Sequence, residues 1–379
     1  MKYTPLFIIG FILCLSACTD NQLLPSSPDD GEKPMVKEER NYTPRMLWAS
    51  INGRADATND KNKIHNKKIL VSWRMLPTDD TEVAFDLYRK SGDRAEIKVN
   101  ENAITVTNFQ DVLANLSVDN TYRLCYHSST VTIDTYTITA QQASAGLPYI
   151  SIPLQGTEGI APGLVYKAND INIGDLDGDG QYEIVMLWSP SDAKDAATGG
   201  RTGKVFMDAY KLDGTQLWRI DMGYNIRAGQ HDTQLNVADF DGDGRAEVMV
   251  RTADGTVDGQ GNVIGDASKG ETYENSWAAL NGGKNLQGPL YVTCFDGTTG
   301  KALDTIDYFP NNTVGSNAAS LTFGDDFGNR SERYNSTIAY IDGQSPSAVF
   351  ARGYYFGKGI SNPNGRTGAA AYSFKNGKL

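Results

Sequence analysis

An all-β fold is predicted by three features of the 379-residue sequence. Short runs alternate apolar with polar residues, the second half repeats itself, and no long helical periodicity interrupts either pattern. The alternating runs predict a β-sandwich over residues 42–147. The repeat predicts the first blades of a β-propeller over residues 148–379, because each unit carries short strands separated by turns.

The first eighteen residues, MKYTPLFIIGFILCLSAC, predict an export signal that is not part of the fold. Lys2 supplies the positive start, an apolar stretch follows, and small residues precede Cys18. The ending LSAC resembles a bacterial lipoprotein processing site, at which Cys18 would carry the lipid. An ordinary signal peptide with an incidental cysteine is the alternative. Residues 19–41, rich in Pro, Ser, Asp and Glu, predict a flexible tether to the outer membrane, at the cell surface or the periplasmic face.

Composition narrows the range of partners. A formal net charge of −11 argues against nucleic acid, whose binding depends on Lys and Arg at phosphates. An acidic substrate remains compatible if bound cations reverse the local sign. There is no phosphate loop, nucleotide fingerprint or G-x-S-x-G elbow, so no nucleotide cofactor is expected. Outside the signal only Cys125 and Cys294 remain, and their separation predicts two buried free thiols.

The predicted sandwich rests on five runs rich in β-branched and aromatic residues: KKILVSWRML, EVAFDLYRK, AITVTNFQDV, NTYRLCYH and VTIDTYTITA. The pair VSWR and FDLYR resembles fibronectin type III and immunoglobulin-like modules, with Trp73 expected in the core. A scaffold or spacer role is favoured over ligand binding.

Three repeat units follow the sandwich. The first contains INIGDLDGDG, YEIVMLW, GKVFMDAYKLDG and TQLWRIDMG; the second contains LNVADFDGDG, AEVMVRT, LYVTCFDGTTG and KALDTIDYF. A third contains STIAYIDGQ, SAVFARGYY and GAAAYSFKNG and stops at Leu379, where its fourth strand should begin. Propellers close with about four to eight blades, so we expect a truncated form of a longer protein. Closure of the ring by dimerisation is the alternative.

Two acidic loops share the pattern D-x-D-G-D-G-x-x-E. Alternate carboxylates on a tight glycine-rich loop offer hard oxygen ligands, which suit Ca²⁺. Position seven of each loop, Gln181 or Arg245, is expected to add a backbone carbonyl. Glutamate stands at position nine, whereas an EF-hand needs it at position twelve. The third unit keeps only Asp342, with Ala348 aligned to the glutamate, so the ions are expected to stabilise loops. The predicted carboxylate ligands are Asp175, Asp177, Asp179, Glu183, Asp239, Asp241, Asp243 and Glu247.

Few residues suggest catalysis. Of three histidines, His65 and His127 have incidental surroundings, while His231 lies just upstream of the second unit's first strand. Such segments line the central mouth of a propeller. Arg227, His231 and Arg352 are therefore the catalytic candidates, with Asp232 and Tyr354 beside them.

The repeat region resembles the bacterial rhamnogalacturonan lyases. The resemblance rests on YKANDINIGDLDGDGQYEIVMLW, AYKLDGTQLWRIDMGYNIRAG, DFDGDGRAEVMVRTADGT, GDDFGNRSER and ARGYY, in order. It implies a calcium-rich eight-bladed propeller with a small β-sandwich, and cleavage of the rhamnose–galacturonate backbone of pectin by β-elimination. It also implies that Asn169 and Asp170 meet the sugar.

The sequence departs from the family pattern at LWSP, where a lysine–tryptophan–aspartate run is usual, and at AGQHDT. FGKGISNPNGRTG is inserted after ARGYY, and the family's later blades, with its basic and tyrosine catalytic residues, have no counterpart before Leu379. The first hypothesis is a lipid-anchored rhamnogalacturonan lyase. The alternatives are a surface glycan-binding lipoprotein without catalysis and, less favoured, an integrin-like adhesive propeller.

Overall fold

The computed structural model describes residues 45–55, 64–76, 79–145, 149, 151–157, 160–271, 283–312, 323, 328–354 and 367–379. The predicted signal and tether, with Cys18, lie outside these ranges. Within them the chain consists mainly of antiparallel strands, which confirms the all-β class. The helical elements there are α1 (Ala140–Ala145) and a 3₁₀ turn (Ala267–Lys269). No helix in the described ranges is long and apolar enough to cross a membrane.

Seven strands precede α1 and form two antiparallel sheets, ordered β1-β2-β5 and β4-β3-β6-β7. The strands are β1 (Trp48–Ala55), β2 (Ile64–Ser72), β3 (Phe85–Ser91), β4 (Ile97–Lys98), β5 (Asn108–Asp111), β6 (Asn120–Tyr126) and β7 (Thr132–Ile138). All five predicted runs contribute a strand. Strands β1 and β4 were not predicted, because WASINGRA carries a single β-branched residue and β4 has only two residues.

One apolar core joins the two sheets. As predicted, Trp73 belongs to it, with 5% of its surface exposed. Its ring meets Phe85 edge-on, with the ring centres 5.5 Å apart. This geometry is among the favourable arrangements of aromatic pairs.

The first repeat unit forms strands in the predicted order: β8 (Tyr166–Gly174), β9 (Glu183–Pro190), β10 (Phe206–Tyr210) and β11 (Gln216–Asp221). An unpredicted hairpin extends this sheet beyond β11, namely β14 (Thr256–Val257) and β15 (Val263–Ile264). It comes from the second unit, where ADGTVDGQGN has a turn-like composition.

The second and third units form separate sheets. The second is ordered β12-β13-β16-β17 and the third β18-β19-β20. Their strands are β12 (Leu235–Ala238), β13 (Glu247–Ala253), β16 (Leu290–Phe295), β17 (Ala302–Asp307), β18 (Tyr334–Ala339), β19 (Ser347–Arg352) and β20 (Gly368–Tyr372).

The central strands of the first sheet are covered on both faces. Along β9, Val185 and Leu187 join one apolar cluster, while Ile184 and Met186 join another. Burial on both faces explains the continuous apolar run of this strand. Strand β8 differs, because the seven residues between its buried ends are exposed. Strand β8 is therefore an exposed strand at one edge of its sheet, and it presents both polar residues and the apolar Ile171 and Ile173.

Strand pairing corrects one detail of the sequence alignment. Gly174 pairs with Glu183, and the equivalent residue of the third unit, Ala339, pairs with Ser347. The third loop is thus one residue shorter, and Ser347 rather than Ala348 occupies the glutamate position. Serine offers no carboxylate, so the conclusion that this loop lacks the acidic ligand set is unchanged.

Both cysteines outside the signal are buried and free, as predicted. Burial raises the pKa of each thiol above its ordinary value. Neither is therefore a reactive nucleophile in the folded chain.

Candidate functional site

Two glycine-rich loops place carboxylates at equivalent points of the first two repeat sheets. We call residues 175–183 the first acidic loop and residues 239–247 the second. In the first, oxygens of Asp175, Asp177 and Glu183 lie within 4.8 Å of one another. The corresponding residues of the second, Asp239, Asp241 and Glu247, do the same. Three of the four predicted carboxylates converge in each loop.

The first acidic loop is shaped by its leading aspartate. The two carboxylate oxygens of Asp175 accept the Gly178 N–H at 2.8 Å and the Gly180 N–H at 2.9 Å. Both glycines have φ near +80°, a region that other residues rarely adopt (Gly178 +78°, Gly180 +87°). Glu183 reaches back from β9 and accepts the Leu176 N–H at 2.8 Å.

The second acidic loop repeats this geometry. Asp239 accepts the N–H groups of Gly242 and Gly244, and Glu247 accepts the Phe240 N–H at 2.9 Å. The fold brings the two loops together, since the Ala246 N–H donates to the Asp175 carbonyl at 2.7 Å.

The fourth predicted carboxylate of each loop lies outside the convergent group. Asp179 accepts the Gln181 N–H and Asp243 accepts the Arg245 N–H, each at 2.8 Å. The carbonyls of Gln181 and Arg245 stay predicted ligands.

The buried glutamates suit a cation. Burial, and then the neighbouring aspartates, raise the pKa of Glu183 to about 7 and that of Glu247 to about 8. Burial also raises the pKa of Asp175. Anionic oxygens held close together cost free energy unless a cation neutralises them, and hard oxygens match Ca²⁺. The donor set therefore fits a calcium ion.

A second polar cluster forms where loops of the three repeat sheets meet. His231, which precedes β12, contacts Tyr354 after β19, with 2.9 Å between its Nδ1 and the phenol oxygen. Its Nε2 lies 3.6 Å from a carboxylate oxygen of Asp195, in the loop after β9. Arg333, just before β18, holds the other oxygen of Asp195 at 3.2 Å. We call these four residues the histidine cluster.

The histidine cluster is half-exposed, and its carboxylate is held ionised. Burial alone would raise the pKa of Asp195, but the Ala197 N–H and the charges of Arg333, His231 and Arg227 lower it below the ordinary value. An imidazole between a carboxylate and a phenol is an arrangement able to move protons.

The other two catalytic candidates have structural surroundings. Arg227 is 1% exposed and donates to the carbonyls of Lys194, Asp195 and Thr198. Arg352 is fully buried and donates to the Ser331 and Pro310 carbonyls. Arg352 also donates to Asn312 Oδ1 at 2.7 Å and lies 3.9 Å from Glu332. Because both guanidinium groups are buried and hydrogen-bonded to backbone carbonyls, these arginines are better explained as supports for the surrounding loops.

Asp232 follows His231 in the chain but is fully buried, whereas His231 is partly exposed. Among the described residues, neither of its carboxylate oxygens has a hydrogen-bond partner. Burial and the nearby Glu332 raise its pKa to about 8, against the opposing charges of Arg227 and Arg251.

The two predicted sugar-contacting residues lie at an irregularity of β8. Pairing with β9 shifts register between Ala168 and Ile171, which places Asn169 and Asp170 in a bulge. Bulges re-aim side chains and are frequent beside binding sites. Asp170 also lines a cavity of about 400 Å³ with residues of the β12 and β18 segments, including Thr233.

Sequence reasoning missed Asp195 and Arg333. Asp195 follows the second strand of the first unit, as Tyr354 follows that of the third. The repeat logic that identified Tyr354 therefore contained a signal for Asp195. Arg333 closes the motif GDDFGNRSER that supports the family resemblance, but its pairing with Asp195 depends on how the sheets pack.

Three repeated sheets, two of which carry an acidic loop able to hold a cation, define a repeat-built β protein. Comparison with known proteins then places the chain more narrowly. Residues 149–379 match the model of the rhamnogalacturonan lyase family 11 C-terminal domain, and residues 62–139 match that of the rhamnogalacturonan I lyase β-sheet domain. The chain belongs to rhamnogalacturonan lyase family 11.

Two curated relatives come from Bacillus subtilis (strain 168). The chain is 43% identical to rhamnogalacturonan endolyase YesW over 316 residues, covering 82% of this chain and 46% of that protein. It is 42% identical to rhamnogalacturonan exolyase YesX, covering 82% and 47%. A solved Bacillus licheniformis rhamnogalacturonan lyase superposes with a TM-score of 0.70 at 39% identity, over 88% of this chain and 51% of that one. The chain thus spans about half the length of the relatives it matches.

Proposed function

We propose that this chain serves a rhamnogalacturonan lyase that cleaves the pectin backbone at galacturonate. The observation that carries the proposal is the likeness, at more than 40% identity, to both a rhamnogalacturonan endolyase and an exolyase. In β-elimination a base takes the proton from C5 of the uronate, the C4–O bond breaks, and the electron pair forms the C4–C5 double bond. The departing oxygen takes up a proton. Cations assist because they neutralise the uronate carboxylate and make that proton more acidic.

We also propose the architecture that this function needs. Residues 42–147 form a fibronectin III-like sandwich, and residues 148–379 form successive blades of a calcium-binding propeller. Support comes from the shared core of the first two sheets and from three consecutive antiparallel sheets built on one repeat.

Calcium is proposed as the occupant of the two acidic loops. Each loop offers three convergent carboxylates and a glycine-supported turn, and burial, followed by the charge of the loop aspartates, raises the pKa values of Glu183 and Glu247. A bound ion would neutralise that charge and hold the β8–β9 and β12–β13 turns closed. The remaining sequence-predicted ligands, including Asp179 and Asp243, stay part of the proposal.

The histidine cluster is proposed as the proton-handling group of this chain. It joins loops of all three sheets, and His231 stands two residues before Thr233, which lines the cavity at Asp170. Replacing His231 with alanine should lower lyase activity about 10²-fold or more, the usual contribution of general acid–base catalysis. His127→Ala is the matched control, since His127 is also half-exposed and paired with an aspartate, Asp86, but in the N-terminal sheets. Equal effects of the two substitutions would contradict the assignment.

Export and lipidation at Cys18 complete the proposal, and they place the protein where it can meet a cell-wall polysaccharide. Metabolic labelling with a fatty acid, lost in Cys18→Ala, would support the anchor. Incorporation that persists in the variant would contradict it.

The test of the main proposal is direct. The purified chain is incubated with rhamnogalacturonan I and Ca²⁺, and ultraviolet absorbance of the unsaturated uronate is followed. A rise that chelator abolishes supports a lyase. No rise, together with retained polysaccharide binding, supports the glycan-binding lipoprotein instead.

A further inference from the structure

The two acidic loops share one ligand pattern but have different charged neighbours. Their convergent carboxylates are equivalent residue by residue, and both lie at the turn between the first two strands of a repeat sheet. Any difference in their affinity for a cation must therefore come from outside the pattern. The chain supplies an internal comparison, because a third, shorter loop stands at the same place in the third sheet.

A lysine competes for the carboxylates of the first acidic loop. Lys211 follows β10 directly, and its ammonium lies 2.5 Å from a carboxylate oxygen of Asp177 and 3.5 Å from one of Asp179. This ammonium is the largest cause of the lowered pKa of Asp177. Asp177 belongs to the convergent group, so the lysine holds a carboxylate that a metal ion would also use.

The second acidic loop has an acid where the first has this lysine. Tyr210 pairs with Ile184 in the first sheet, and Phe295 pairs with Val248 in the second. The next residue along each strand is Lys211 in one case and Asp296 in the other. Across the described part of the chain, no basic side chain forms an ion pair with Asp241, the counterpart of Asp177.

The second loop does have a neighbouring cation, but on a different carboxylate. The Arg245 guanidinium lies 3.0 Å from Asp243, which is outside the convergent group. In the described part of the chain, the contrast therefore lies at one position: Asp177 of the first loop is held by a lysine, and its counterpart Asp241 is not. An ion entering the second loop meets no counterpart of Lys211 on that carboxylate.

The third loop shows the opposite extreme. With Ser347 in the glutamate position it has no acidic cluster, and Lys375 pairs with its remaining aspartate, Asp342, at 3.3 Å. Lysine and carboxylate cluster thus combine in three ways in one chain. Among the described residues, the second loop has the cluster without an ion-paired lysine, the third has the lysine without the cluster, and the first has both.

We propose that the two acidic loops bind Ca²⁺ in sequence, the second tightly and the first weakly, because an ion entering the first must displace Lys211 from Asp177. The inference rests on the proposed calcium function of these loops. A free-energy difference of about 1.4 kcal/mol changes an affinity tenfold. A unit charge a few ångströms from the ligand oxygens interacts with them by an energy of that order or more, even near the surface. The side chain can swing away, so we expect about a tenfold difference. The second loop then serves stability, and the first exchanges its ion as calcium concentration changes.

Calorimetric titration of the full chain with Ca²⁺ tests the proposal. The native chain should show a tight and a weak phase; Asp241→Asn should remove the tight phase, and Asp177→Asn the weak one. Asparagine keeps the side-chain oxygen that accepts the loop N–H in each case. Lys211→Met should strengthen the weak phase about tenfold and leave the tight phase unchanged. Lys375→Met changes the net charge equally but touches no acidic cluster, so both phases should stay as they are.

The outcomes distinguish the role of Lys211 from calcium binding by the two acidic loops. Two phases of equal strength, or a weak phase that Lys211→Met leaves unaltered, would overturn the role of Lys211 while leaving calcium binding intact. Equal strengthening by Lys375→Met would show a general charge effect and would also overturn it. Absence of any binding would refute the calcium function itself.

Discussion

Replacing Glu247 with glutamine should change stability in opposite directions with and without calcium. Glu247 is 5% exposed on β13 and accepts the Phe240 N–H at 2.9 Å. Glutamine has the same shape and keeps an oxygen acceptor, so the substitution removes chiefly the charge. Burial, followed by repulsion from Asp241 and the other loop aspartates, raises the pKa of Glu247 from 4.5 to about 8.

The size of the effect follows from proton linkage. A carboxyl whose folded pKa is raised contributes stability fully below its unfolded pKa and loses that contribution as the pH rises through the folded value. For Glu247 this window runs from 4.5 to about 8. At pH 7 the metal-free fold has lost up to about 3 kcal/mol through this group, at about 1.4 kcal/mol for each pH unit above the unfolded pKa. Glutamine carries no charge in either state, so Glu247→Gln avoids this loss.

Urea unfolding at pH 7, in chelator and in excess Ca²⁺, measures both effects. In chelator the variant should be more stable than the native chain, by up to about 3 kcal/mol. In calcium the native chain should gain stability, and the variant should lose most of that gain because it lacks an anionic ligand. Asp342→Asn, in the loop without an acidic cluster, should show no calcium-dependent difference. A variant destabilised equally under both conditions would refute the reasoning, since Glu247 would then act only through packing and its hydrogen bond.

Three further outcomes are expected. Arg352→Met should cost about 3 kcal/mol or more in urea unfolding, because buried acceptors lose their donor; unchanged stability would contradict a structural role. Tyr182→Phe should lower the free energy of unfolding by about 1 kcal/mol, because it loses the 2.7 Å hydrogen bond from Arg74. Tyr88→Phe is the control: it loses no such bond among the described residues and should leave stability unchanged. Thermal unfolding of both variants measures the difference. Cys294 should escape alkylation in the native chain and react after unfolding, as peptide mapping by mass spectrometry would show; native labelling would contradict its burial.

Much of the fold could be predicted because its signals are local. Strand β9 and its repeat counterpart β13 each follow an acidic turn and run apolar, so a window of a dozen residues suffices to place both. The β14–β15 hairpin could not be predicted in this way. Its two-residue strands lie among Gly and Asp, and β14 is stabilised by pairing with β11 of another unit. Short strands of this kind are set by tertiary contact rather than by propensity.

The candidate sites also differ in how far apart their residues lie in the sequence. The convergent aspartates and glutamates of the acidic loops lie within nine residues of one another, so spacing alone indicated them. The histidine cluster joins His231 to Tyr354, 123 positions away, and to Asp195 in the opposite direction along the chain. The repeat gives Asp195 and Tyr354 comparable positions after the second strand of their units. That they meet His231 and Arg333 in one cluster depends on the packing of three sheets.

The first acidic loop shows how one sequence pattern acquires different chemistry in different places. Its Asp177 pairs with Lys211, which directly follows β10, and its Asp175 carbonyl accepts the Ala246 N–H of the second loop. Tyr182 receives a hydrogen bond from Arg74, which follows β2 in the N-terminal sheets. None of these neighbours belongs to the pattern. An ion bound there, as proposed above, would therefore have a lysine, the second acidic loop and the contact with the N-terminal sheets among its neighbours. The pattern specifies the ligands, whereas strand register and sheet packing specify how tightly they hold an ion and what responds when it leaves.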